Sequence, residues 1–193
     1  MRISGGNAKG RKIGFRKAFL KKNESDELRP TSAKVREALF DIIRKELPGS
    51  VFLDLYAGTG GVGIEALSRG AAKVVMVETN TLRVRLIQHL LSEFDFSGRA
   101  RVVNLRACDF MEREGEKGQR YDIIFLDPPY GSEELTKVLS LIGEGKSIRE
   151  GGLVVAEHFS KTKLPESVGR LACVKGYKYG DTVLTLYKSC YDL

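Results

Sequence analysis

Cysteine and histidine are scarce in this chain, and the few present are scattered. Cys108, Cys173 and Cys190 form no CxxC pair, and only His89 and His158 accompany them. That spacing argues against a zinc cluster or a disulfide framework, so no metal site is expected and the three thiols read as ordinary buried ones. Long apolar runs are missing too. No segment approaches the ~20 residues that cross a bilayer. The start, Met1-Arg2-Ile3-Ser4-Gly5-Gly6, lacks the apolar stretch of a secretion signal. A cytoplasmic protein with no membrane partner is the expectation. Acidic residues are absent before Glu24, whereas Arg2, Lys9, Arg11, Lys12, Arg16, Lys17, Lys21 and Lys22 all precede it. The net charge of +7 is therefore uneven. Such a run is also what an ordinary solvated face looks like. Gly5-Gly6 and Gly10, interleaved with it, read as turns of a short hairpin, and a folded basic arm is a better phosphate binder than a loose tail.

What is present is enough for one domain: 193 residues form a core that buries roughly 70% of the unfolded surface. A helix pattern runs from Ala33 to about Leu47, with Val35, Leu39, Ile42 and Ile43 on one face, Thr31 or Ser32 as cap and Pro48-Gly49 as stop. Strands then alternate with helices. Strands are expected at Val51–Leu55, Lys73–Glu78, Ala100–Leu105, Tyr121–Leu126 and Gly152–Glu157. Helices are expected through Ile64–Leu67, over Thr81–Phe94 and from about Glu133 to Ile142. Leu171–Tyr177 and Thr182–Tyr187, joined through Lys178-Tyr179-Gly180-Asp181, carry a hairpin signal. The pattern predicts a doubly wound α/β fold: a mostly parallel seven-stranded sheet, helices on both faces, and an antiparallel C-terminal hairpin.

Ligands of such sheets bind beyond the carboxyl ends of the strands, where the strand order reverses. The first strand ends in Asp54-Leu55-Tyr56-Ala57-Gly58-Thr59-Gly60-Gly61-Val62-Gly63. Glycines let the backbone turn tightly against a ligand, and the helix that follows offers free N–H groups. The loop is not GxxxxGK[ST], which disfavours a nucleoside-triphosphatase. Asp54 would repel a pyrophosphate but can orient the amino group of a methionine moiety, which favours S-adenosylmethionine; as a plainer role it could brace the loop. Glu78, after four apolar residues, can accept two ribose hydroxyls, a geometry shared with dinucleotide folds. Asp109 could accept from an adenine amino group, with the Cys108 and Phe110 amides nearby, or cap a helix. The candidate cofactor set is thus Asp54, Tyr56, Ala57, Gly58, Thr59, Gly60, Glu78, Thr79, Cys108, Asp109 and Phe110.

Asp127-Pro128-Pro129-Tyr130, after an apolar strand, is the most specific feature. A Pro-Pro turn alone explains neither the acid before it nor the aromatic after it. Chemistry explains both. The exocyclic amino nitrogen of a nucleobase is a poor nucleophile because its lone pair is delocalised into the ring. A carboxylate of Asp127 and the carbonyl of Pro128 can each accept one N–H, leaving the lone pair aimed at a methyl donor. Pro128 and Pro129 fix φ, so the acceptors stay in place. Tyr130 offers a face for an extruded base, worth roughly 1–3 kcal/mol.

These residues resemble the RsmD family of bacterial 16S rRNA guanine-N2-methyltransferases. The resemblance rests on Arg2-Ile3, Gly5-Gly6, Gly10-Arg11-Lys12, Leu28-Arg29-Pro30-Thr31, Val35 to Phe40, Asp54 to Gly63, Gly63 to Ala71, and Asp127 to Tyr130. It implies a class I methyltransferase (Rossmann-like) fold, with residues 1–28 a basic hairpin arm in contact with RNA and residues 29–193 the catalytic domain. It also implies transfer from S-adenosylmethionine to the 2-amino group of one guanine of small-subunit rRNA, in an assembled or assembling subunit that includes ribosomal proteins. Arg2, Lys9, Arg11, Lys12, Arg29 and Arg36 are the candidate RNA contacts, although Arg36 could instead pair with Glu37 or Glu65. Ser4 and Ala8 depart from the family pattern, in the arm only. Nothing demands more than a monomer. A DNA adenine-N6 methyltransferase shares the Asp127–Tyr130 motif but needs a larger recognition module. A protein- or small-molecule N-methyltransferase leaves the basic arm unexplained, and a non-catalytic RNA-binding assembly factor leaves the intact acids unexplained.

Overall fold

A computed structural model describes residues 2–13, 32–129 and 133–190. Arg29 with its Leu28–Thr31 segment, Tyr130, and the expected domain boundary after residue 28 lie outside the described residues. The helices are α1 (Ala33–Ile42), α2 (Gly61–Ser68), α3 (Thr81–Glu93), α4 (Ala107–Lys117) and α5 (Glu134–Glu144). The strands are β1 (Val51–Asp54), β2 (Lys73–Val77), β3 (Ala100–Val103), β4 (Tyr121–Leu126), β5 (Ile148–Phe159), β6 (Ser167–Val168), β7 (Leu171–Tyr179) and β8 (Thr182–Ser189). They form one sheet in the order β3-β2-β1-β4-β5-β8-β7-β6. The first five run parallel; β8 enters antiparallel beside β5 and pairs with β7.

The sheet thus has eight strands among the described residues where seven are expected. The addition is β6, whose two residues pair with Ala172 and Leu171 of β7 and are too few to show a period. A second correction concerns α4. Its run of charge over residues 112–117 hides an apolar face made by Ala107, Cys108, Phe110 and Met111, all buried. Asp109 does not cap this helix: Arg106 holds the cap position and Asp109 is in the first turn, where a carboxylate still meets the positive end of the helix dipole. A third correction concerns α1, which stops at Ile42 rather than near Leu47 and is capped by Ser32, whose side chain accepts from the Val35 N–H at 3.2 Å. Cys108 is buried as expected, but Cys173 and Cys190 are exposed, one on the open stretch of β7 and the other just past β8.

The central strands β1 and β4 are nearly continuous apolar runs because both faces are covered. Helices α1, α2 and α3 pack one apolar cluster against one face, and α4 and α5 pack a second against the other. Residues 2–13 belong to the first cluster. Ile3, Ala8 and Ile13 are buried in it, and each isoleucine contributes about 1.5–3 kcal/mol. An antiparallel bridge, Arg2↔Lys12, closes the expected hairpin. Its turn needs glycine at Gly6, where φ is 78° and a Cβ would meet the Ser68 carbonyl. One buried carboxylate ties these parts together. Glu65 of α2 accepts from Arg36 Nε of α1 at 2.7 Å, from Arg69 Nη2 at 2.8 Å, and from the Ser4 hydroxyl.

Candidate active site

In this strand order the sheet reverses between β1 and β4, and there a cavity of about 1090 Å³ opens. Side chains alternate along a strand. Phe52 of β1, Phe125 of β4, and Leu153 and Val155 of β5 all face the α1–α3 side. Two residues on from Phe52, Phe125 and Val155 come Asp54, Asp127 and Glu157. Three neighbouring strands thus present three acids at or near their carboxyl ends: Asp54 ends β1, Asp127 follows β4, and Glu157 lies two residues before the end of β5; all three line the cavity.

Their environments differ from water. Asp54 is buried and its Oδ1 has no hydrogen-bond partner. Burial pushes its carboxyl up to about 7, with Asp127 and Glu78 adding repulsion and the Tyr56 and Gly63 backbone N–H groups partly offsetting it. Glu157 is 3% exposed, its Oε2 is also without a partner, and burial followed by the Asp127 charge pushes it up to about 8. Tyr56 is raised by burial and by the Glu134 carboxylate. Six acids line the cavity among the described residues (Asp54, Glu78, Asp127, Glu134, Glu157 and Asp181) against three arginines, Arg36, Arg83 and Arg106. All three arginines have carboxylate partners, in Glu65, Glu78 and Glu134. A chain with an excess of positive charge has made a negative cavity. It suits a cationic ligand and opposes a pyrophosphate.

The glycine turn closes one wall. Gly60 sits at φ 80°, and a Cβ there would lie 2.9 Å from Ile87. Glu78 braces the turn and the next helix. One of its oxygens accepts from the Gly58 N–H at 2.8 Å and the other from the Asn80 N–H at 2.8 Å. The Asn80-bound oxygen, Oε1, also accepts from the Thr79 hydroxyl at 3.4 Å and faces Arg83 Nη1 at 3.8 Å, so of a carboxylate's four or so lone-pair sites the remaining capacity is on Oε2, for a ribose hydroxyl.

Of the candidate cofactor residues, Asp54, Tyr56, Ala57, Gly58, Thr59, Glu78 and Thr79 line the cavity, as do Asp127, Pro128 and Pro129 of the catalytic loop. Gly60, Cys108, Asp109 and Phe110 do not; Cys108 and Phe110 point into the α4–α5 cluster and Asp109 is exposed. Leu105, Arg106 and Ala107 occupy that wall instead. Sequence reasoning passed over Arg83, Arg106, Glu134 and Glu157. Glu157 could have been found by the rule that singled out Asp54 and Asp127, an acid following an apolar run.

The candidate RNA contacts separate by location. Arg36 is buried; it pairs with Glu65 and donates from Nη2 to the Arg2 carbonyl at 3.0 Å. Arg11 donates to the Glu93 carbonyl at 2.8 Å and lies over the Phe94 ring at 4.1 Å, which docks it on the carboxyl end of α3. Arg2, Lys9 and Lys12 are exposed. The Gly5–Gly10 turn packs beside Ser68 and Arg69, at the end of α2 remote from the cavity. Eight helical residues put it about 12 Å below the cavity rim.

A mostly parallel sheet with an acid-lined cleft at its reversal point and a Pro-Pro loop on β4 is a class I methyltransferase fold. The family described as Conserved hypothetical protein 95 matches residues 1–188. The chain belongs to that family, whose curated relatives include ribosomal RNA small subunit methyltransferases D. It is 35% identical to a Bacillus subtilis (strain 168) protein provisionally named rRNA methyltransferase YlbH, over 97% of this chain and 98% of that one. It is 34% identical to the ribosomal RNA small subunit methyltransferase D of Escherichia coli (strain K12), over 86% of this chain and 78% of the relative. Among solved structures, a hypothetical protein of Thermus thermophilus superposes with TM-score 0.78 at 31% identity, covering 96% of this chain and 98% of that one. Among the described residues, no helix is long and apolar enough to cross a membrane.

Proposed function

We propose that this chain methylates the exocyclic 2-amino group of a guanine in small-subunit ribosomal RNA, with S-adenosylmethionine as donor. The observation that carries the proposal is the placement of Asp54 and Asp127 on one face at the strand reversal, with a buried Asp54 oxygen left unpartnered in a negative cavity. That donor set fits the cofactor, which carries an ammonium and a sulfonium against one carboxylate. Asp54 would take the ammonium, Glu78 a ribose hydroxyl, and the wall from Leu105 to Ala107 the adenine. When bound, S-adenosylmethionine supplies an electrophilic methyl group.

The chain's own groups do the rest. Asp127 and the Pro128 carbonyl accept the two amino hydrogens of the base and hold its nitrogen in line. A methylated amino group must lose one proton, and Asp127 is the carboxylate in contact with it. Tyr130 stacks on the base. Arg2, Lys9, Arg11 and Lys12 serve RNA that runs down the side of the domain, Arg29 is assigned to the same substrate, and Arg36, buried on Glu65, supports the arm by holding the Arg2 carbonyl. Since the turn lies about 12 Å below the rim, the fitting substrate is a large folded RNA, such as rRNA in an assembling or assembled subunit.

The test offers labelled S-adenosylmethionine with small-subunit particles, naked rRNA, duplex DNA and bulk protein, followed by nucleoside analysis. Label in N2-methylguanosine of the rRNA is expected. Label in DNA adenine, in protein, or in none of the four overturns the proposal.

A further inference from the structure

No step of the proposed transfer uses Glu157. This residue follows the apolar run Leu153–Ala156 of β5, two positions before that strand ends, and the register Leu126↔Ala156 sets it beside Asp127, just past the end of β4. Neighbouring strands lie about 4.8 Å apart, so a base whose amino group is held by Asp127 and Pro128 extends its ring edge past Glu157. On its other side Glu157 pairs in register with Leu184 of β8, an apolar neighbour with no side-chain donor. Glu157 lines the cavity, and its Oε2 is buried with no hydrogen-bond partner. A buried carboxyl oxygen left unpaired is destabilising. A ligand donor would remove that cost.

We infer that Glu157 is the specificity-determining residue for the purine, accepting the ring N1–H of guanine while Asp127 and Pro128 hold the 2-amino group. This rests on the guanine-N2 reading above. Next to its 2-amino group guanine carries a donor, N1–H, and then an acceptor, O6. A carboxyl group matches that edge: one oxygen accepts N1–H, and in the protonated form the hydroxyl donates to O6. Burial and Asp127 favour that protonated form near neutral pH. Adenine seated by its 6-amino group offers a bare N1 and then a C–H, so the accepting oxygen meets a lone pair and is left unpaired. Sites built to hydrogen-bond a substrate group reject analogues that lack it more strongly than apolar pockets reject extra bulk.

The experiment compares wild type, Glu157→Gln and Glu157→Leu on two rRNA substrates. One carries the natural guanine at the modified position, and the other carries 2-aminopurine there. 2-Aminopurine keeps the 2-amino group but has neither N1–H nor O6. Wild type is expected to prefer guanine strongly in kcat/KM. Glu157→Leu should lose about 10- to 100-fold on guanine with little change on 2-aminopurine, so the preference collapses. Glu157→Gln, with one acceptor and one donor in the same places, should keep most of it. Melting curves and cofactor titrations of both variants report whether the fold and the cofactor site survive. If wild type methylates guanine but folded Glu157→Leu keeps the full preference over 2-aminopurine, the inference is wrong and the guanine-N2 reading stands. If wild type places no label on guanine N2, that reading is what has failed.

Discussion

Asp54 gives the sharpest prediction, because the same burial that suits it to an ammonium makes it a burden without one. Its carboxyl rises from 3.8 to about 7 on folding. Between those values the folded protein binds a proton that the unfolded chain releases, so stability falls as pH rises, by about 1.4 kcal/mol per pH unit. From pH 5 to pH 7 that amounts to on the order of 3 kcal/mol, and above pH 7 the loss is complete. Asp54→Asn has no proton to exchange. Its amide oxygen can take the Tyr56 and Gly63 backbone N–H groups, and its amide nitrogen faces the cavity. The ligand-free variant should therefore gain on wild type as pH rises. In a chain of 193 residues, the gap in melting temperature should widen by about 5–10 °C between pH 5 and pH 8. Glu157 titrates in both proteins and cancels in the difference. Thermal unfolding followed by circular dichroism in matched ionic strength, at unit steps of pH, measures this. Added S-adenosylmethionine should raise the wild-type midpoint and leave that of Asp54→Asn unmoved. A gap that stays constant from pH 5 to pH 8 would refute the argument.

Further outcomes follow from the same geometry. Cofactor affinity of wild type, read by calorimetry, should weaken up to about tenfold per pH unit below pH 7, as Asp54 takes up its proton. Asp127→Ala should abolish methyl transfer while leaving the cofactor dissociation constant within about threefold, since Asp127 is assigned to the base and not the donor; loss of cofactor binding would mean its role is misplaced. Glu65→Ala should lower stability by about 3–5 kcal/mol in urea titrations, because it strands the buried Arg36 guanidinium. Neutralising Lys9 and Lys12 should reduce the salt slope of RNA binding by about one for each phosphate no longer neutralised. Arg11→Ala should also lower the melting temperature, because that guanidinium is docked on α3.

Much of this was legible in the chain before its fold. The apolar runs of β1, β2 and β4 are unambiguous because central parallel strands are buried on both faces and need no alternation. The acids closing β1, β2 and β4 announce a site because each stands at a strand's carboxyl end, where doubly wound sheets bind. Those signals are local, fixed by residue type and spacing within a few positions. Where the pattern failed, the signal was not local. In α4 the charged stretch outweighed the buried face, β6 had two residues, and Asp109 shared its neighbourhood with a better-placed wall.

The sequence by itself determined the strand–helix alternation, the glycine turn and the acid-Pro-Pro pattern that follows β4. Each follows from backbone sterics and side-chain donors and acceptors within a short span. Tertiary structure alone decided the rest. It fixed Arg36 on Glu65, docked the basic turn at the far end of α2, and brought Glu157 beside Asp127 from thirty positions away. Those outcomes depend on which strands lie side by side and how deeply each carboxyl group is taken out of water. Burial and adjacency belong to the packed sheet, and no short stretch of chain carries them.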